Sequence, residues 1–117
     1  MKKFIYLLIL AIYFTSCESN SNHKIVVHES QKILNIYSNE DFAVIDITKK
    51  SYPSIWSLSP NKVTVRKDGL YIKLEDQFSS EKGFFVPRDN LSIGDFHSSG
   101  DPSYKLVQSR LFEYEFK

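Results

Sequence analysis

The stretch "KVTVRKDGLYIKL", Lys62 to Leu74, constrains the fold of this chain more than any other. Apolar and polar residues alternate on both sides of Asp68-Gly69, a pair that favours a two-residue hairpin turn of type I′. A turn centred on that pair sets Lys67 opposite Leu70, Arg66 opposite Tyr71, Val65 opposite Ile72, Thr64 opposite Lys73 and Val63 opposite Leu74. One face then carries Val63, Val65, Ile72 and Leu74, and an outer face carries Thr64, Arg66, Tyr71 and Lys73. A slip of one residue would mix the two sets, so the pattern itself specifies which side faces a core.

Further strands follow from similar patterns. "DFAVIDIT" is apolar on both faces near its middle, with Phe42 and Val44 on one side and Ala43, Ile45 and Ile47 on the other, which suits a central strand. "GFFVP", Gly83 to Pro87, is a short apolar run stopped by proline. In the C-terminal "YKLVQSRLFEYEFK", Phe112, Tyr114 and Phe116 alternate with Glu113 and Glu115, the signature of a half-buried strand. "KIVV" reads as another strand. "SQKILNIY" reads either as a strand, the favoured assignment, or as a short helix capped by Ser30. "TKKSYPS" and "SLSPNK" read as proline-bearing turns, and Arg88 to Ser103 as a long loop rich in Ser, Asp and Gly, of a length often tied to function. The expected fold is all-β: a small antiparallel sandwich or barrel of five to seven short strands with little helix.

With 117 residues the chain has room for one domain, and a formal net charge of +1 gives no large single-sign field that would favour nucleic acid. A single Cys excludes an intramolecular disulfide and any thiolate zinc cluster. The N-terminus reads "MKK", then the uncharged run "FIYLLILAIYF" from Phe4 to Phe14, then Thr15, Ser16 and Cys17. This is the pattern of a secretory signal, and the run falls short of the ~20 residues that span a bilayer as a helix.

Phe14-Thr15-Ser16-Cys17 resembles the lipobox of bacterial lipoproteins, with a bulkier residue than usual at Phe14. The resemblance covers residues 1–17. It implies a diacylglycerol on the Cys17 sulfur, cleavage before Cys17, and acylation such as palmitate on the new amino group. Two or three chains anchor stably where one binds reversibly. The expected organisation is a signal peptide over 1–16, a lipidated flexible tether over 17–23, and one β domain over 24–117. The expected place is the cell envelope, at the outer membrane facing the periplasm. Loss of Lys2 and Lys3 leaves 13 basic against 14 acidic residues, so the positive balance belongs to the export signal.

The chain carries no Walker loop, G-x-G-x-x-G, H-E-x-x-H or G-x-S-x-G. His23, His28 and His97 show no ligand spacing, and His97 with Asp95 and Asp101 reads as loop surface. No catalytic residue, metal or cofactor is expected. Binding signals are stronger: Tyr52, Trp56 and Tyr71 fall near Arg66, and Tyr, Trp and Arg are the side chains that anchor interfaces. Trp56 reads as core or interface. The loop "SSGDPSY" is similar to the Ser-Gly-x-x-Tyr loop of periplasmic lysozyme inhibitors, through Ser99, Gly100 and Tyr104, with one extra residue before the Tyr. That family's Tyr-x-x-x-Thr-Lys-Gly motif is absent.

The function expected from the sequence is a membrane-anchored, non-catalytic protein-binding module. An immunity or inhibitor protein against a toxin or lytic enzyme leads, ahead of an accessory subunit of an envelope or secretion complex and of a lysozyme inhibitor. The expected contact residues are Arg66, Tyr71 and Lys73 on the hairpin, and Asp95, His97, Ser99, Gly100 and Tyr104 on the long loop.

Overall fold

The computed structural model describes residues 22–77 and 80–117. The expected signal peptide, Cys17 and the expected tether up to residue 21 lie outside the described residues. The chain is mostly β, as its patterns require. Six strands form one antiparallel sheet: β1 (Phe42–Ile45), β2 (Lys62–Arg66), β3 (Gly69–Gln77), β4 (Ser80–Pro87), β5 (Ser103–Gln108) and β6 (Leu111–Phe116), in the order β1-β2-β3-β4-β6-β5. Two helices accompany them: α1 over residues 22–36 and the short α2 (Pro53–Ser57).

Helix α1 replaces the strands expected over "KIVV" and "SQKILNIY", and it takes in residues 22 and 23 of the expected tether. The reason is a buried stripe at helical spacing: Val26, Glu29, Ser30, Ile33 and Leu34. Two of its members are polar, which hides the period. Both are satisfied. The Ser30 hydroxyl donates to the Val26 carbonyl at 2.7 Å, and the Glu29 carboxylate accepts the N–H groups of Ser54 and Ile55, each at 3.0 Å. The β-branched Ile25, Val26 and Val27 lower helix propensity slightly, and packing of the apolar stripe overrides them.

Burial divides between the two faces of the sheet. Toward the helices lies an aliphatic core of Val26, Ile33, Leu34, Ile55, Val63, Val65, Leu70, Ile72, Val86 and Leu111. On the other face Tyr71, Phe85, Phe112 and Tyr114 form an aromatic core, with Ile93, Phe96, Tyr104 and Phe116 packed against it.

The long loop is explained by topology. β4 and β5 both run antiparallel to β6, so they are parallel to each other with β6 between them. A parallel connection needs a crossover of a dozen or more residues. Residues 88–102 supply it, running back over the aromatic face and inserting Ile93 and Phe96. The 3-10 turn Ile93–Asp95 inside it is closed by a capping box in which Ser92 and Asp95 satisfy each other's backbone.

The central hairpin keeps its predicted faces but not its predicted register. Val65 pairs with Leu70 and Thr64 with Tyr71, a shift of two from the expected pairing, and the turn is Lys67-Asp68. Neither Asp68 nor Gly69 is among the residues with positive φ. Gly69 pairs with Pro87 of β4, and a Cβ there would run into the Val86 carbonyl oxygen. The glycine is required by the neighbouring strand, not by the turn. β1 is likewise an edge strand rather than a central one.

Candidate partner-binding surface

The edge position of β1 has a direct consequence. Ala43 and Ile45 turn toward the aliphatic core, while Phe42 and Val44 stand on the opposite face, 57% and 56% exposed. Beside them on β2 is Arg66, paired with Phe42 across the ladder. Its guanidinium carbon lies 5.9 Å from the Phe42 ring centroid and 5.3 Å from that of Tyr71, so a cation bridges an exposed ring and a buried one. Both distances fall within cation–π range.

Tyr71 is the floor of this region. Its ring is buried against Phe85 and Tyr114, with centroids at 4.7 and 4.9 Å. Its hydroxyl donates to the Asp68 carboxylate at 2.7 Å and lies 2.7 Å from the Tyr104 hydroxyl. Tyr71 gives its one proton to Asp68, and Tyr104 completes the cluster through its hydrogen bond with Tyr71. Burial raises the pKa of both phenols, and for Tyr71 the hydrogen bond it donates to the Asp68 carboxylate raises it further. The result is a fixed chain from Tyr104 through Tyr71 to Asp68, set in an open depression of about 890 Å³ bordered by Phe42, Arg66 and Phe116.

Two arginines hold the rim. Arg88 donates from Nε to the Lys67 carbonyl at 3.0 Å, and from Nη2 to the carbonyls of Arg66 and Glu40 at 3.0 and 2.8 Å. Its Nη1 reaches the Tyr37 carbonyl at 3.3 Å. The hairpin turn is thereby tied to the end of α1. Arg110 donates to the carbonyls of Arg88 and Leu91 at 2.8 and 2.7 Å, fixing the start of the crossover.

Of the residues expected to bind, Arg66, Tyr71 and Tyr104 are brought together, though Tyr71 is only 4% exposed. The hairpin face read as outer is in fact the floor under the crossover. Lys73 lies further along β3, 3.8 Å from Glu81. Asp95 serves the capping box, and His97 accepts the Tyr104 N–H through its carbonyl at 2.8 Å. Ser99 and Gly100 are exposed on the crossover, Gly100 with φ of 105°. The Tyr104 ring packs against Phe85 and Phe96, so the tyrosine compared with an inhibitor loop faces into the protein.

Sequence reasoning did not find Phe42 and Val44, because apolar residues on both faces signal a buried strand. Nor did it find Arg88, Arg110 or Glu29, whose partners are backbone atoms distant in sequence. Among the described residues no group of three or more His, Cys, Asp or Glu gathers as metal ligands do. No family model matches the chain, and no curated protein or solved structure matches it either.

Proposed function

We propose that this chain is a lipid-anchored bacterial envelope lipoprotein whose domain captures another protein and performs no catalysis. The observation that carries the reading is β1: an edge strand with Phe42 and Val44 exposed on one face and no strand on its outer side among the described residues. An apolar edge invites strand addition, and natural proteins usually charge or cover it. Here it is left open beside Arg66 and a rigid aromatic floor. A partner segment that extends the sheet along β1 and lays apolar side chains on Phe42 and Val44 fits this surface. Rigidity favours binding, since little side-chain freedom is lost on contact.

The anchored reading is supported by the lipobox, and the location that goes with it in this proposal is the cell envelope, at the outer membrane facing the periplasm. An immunity or inhibitor protein against a toxin or lytic enzyme is the leading form of this function, and an accessory subunit of an envelope complex is the second. Metabolic acyl labelling tests the anchor: the wild type takes up label and Cys17→Ser does not. Equal membrane retention of the two would remove the anchored reading. Capture is tested by Phe42→Asp, which should release the partner while the domain stays folded.

A further inference from the structure

A second depression, of about 370 Å³, opens at the far end of β1 from Phe42. Its lining includes Trp56, Asp46, Ser59 and Asn61. Trp56 is the chain's single tryptophan and is 45% exposed. Burying so large a ring stabilises a fold in proportion to the apolar area removed from water, so its exposure leaves that stabilisation unused.

The backbone around the ring is fixed. Helix α2 is held at its N-terminus by Glu29. The Ser59 N–H donates to the Trp56 carbonyl at 3.0 Å, and the Asn61 N–H to the Lys73 carbonyl at 2.7 Å. Ser59 itself has φ of 54°, a left-handed conformation that costs a non-glycine residue and tends to occur at functional sites. The Lys49 ammonium lies 5.3 Å from the indole centroid and steadies the ring without walling it in, since Lys49 is exposed.

Beside Lys62, three polar side chains of the lining are short and uncommitted. Asp46, Ser59 and Asn61 meet no side-chain hydrogen-bond partner among the described residues. A protein anchor entering here would need apolar walls, and apart from Trp56 the exposed lining residues are polar, while Ile45 and Val63 are buried beneath them and Ile47 and Pro60 are half-buried. A sugar ring has the matching chemistry. Its C–H face packs on an indole, and its rim of hydroxyls donates to a carboxylate and exchanges hydrogen bonds with a carboxamide. We propose that Trp56, Asp46 and Asn61 form a binding site for a pyranose unit of a neutral glycan. The site is separate from Phe42 and Arg66 and does not depend on protein capture.

The single tryptophan makes the test direct, because intrinsic fluorescence of the full-length protein in detergent micelles reports on Trp56 alone. The probes are the trimer of N-acetylglucosamine and maltotriose. A saturable change with at least one of them is expected, with half-saturation near ~1 mM, as suits a small contact. Asp46→Ala and Asn61→Ala should each raise the half-saturation about fivefold, the loss of one hydrogen bond, at an unchanged thermal midpoint. Two results would overturn the assignment: no saturable change with either sugar up to roughly twenty times that concentration, or a change that both variants leave untouched.

Discussion

Glu29 Oε1 accepts the backbone N–H of Ile55 at 3.0 Å, although 26 positions separate the two residues. The carboxylate does for α2 what a local N-cap side chain does elsewhere, since Tyr52 at the cap position offers no side-chain hydrogen bond. Glu29→Ala leaves two donors without this acceptor at a largely buried helix end. A loss of about 2 kcal/mol is expected from the penalty on unmet hydrogen bonds. Chemical denaturation checks this, and Trp56 fluorescence should shift early, because α2 carries the reporter.

Tyr71 and Tyr104 give the protein an alkaline limit. Their folded pKa values are raised above that of an exposed tyrosine. A group raised by folding contributes stability fully present below its unfolded pKa, near ~10 for tyrosine, and lost as pH climbs beyond it. The fold should therefore hold through neutral pH and weaken progressively above that value. Ultraviolet titration of the native protein should show Tyr71 and Tyr104 ionising later than an exposed tyrosine. Tyr104→Phe removes one of these late phenols and should reduce the alkaline sensitivity.

Arg88 holds four carbonyl oxygens from two separate stretches of chain, the end of α1 and the hairpin turn. Lysine keeps the charge but lacks the planar fork. Arg88→Lys should destabilise by about 1–3 kcal/mol, and hydrogen exchange should accelerate at the Lys67-Asp68 turn before it does in β6.

Gly69 of β3 and Gly83 of β4 each lie tight against the backbone of the other strand. A Cβ at Gly69 meets the Val86 carbonyl oxygen, and one at Gly83 meets that of Ile72. Backbone cannot yield as a flexible side chain does, so Gly69→Ala or Gly83→Ala should cost about 3 kcal/mol or more. A thermal melt measures it; a melt like that of the wild type would contradict the strand spacing.

What the sequence made legible followed period-two alternation. Val63, Val65, Leu70 and Ile72 sort to one face in either hairpin register, so the core side was readable even though the turn was misplaced. Phe112, Tyr114 and Phe116 were readable for the same reason. The turn was misplaced because the demand for Gly69 comes from β4, beyond any local window. Helix α1 was hidden by Glu29 and Ser30, polar residues on a buried stripe whose partners are set only by the fold. At the candidate site, Arg66 and Tyr71 were found through residue type and proximity on one hairpin. Phe42 was missed because a strand apolar on both faces looks central until its position in the sheet is known.

The central claim is that the open edge at β1 holds a partner protein at the membrane. Site-specific photo-crosslinking tests it in intact cells, with the probe at Val44 and, as control, at the exposed Lys32 of α1. A discrete heavier species in the membrane fraction is expected from position 44, absent at position 32 and lost when Arg66→Ala is added. Uncrosslinked protein alone from position 44, or the same products from both positions, would contradict it.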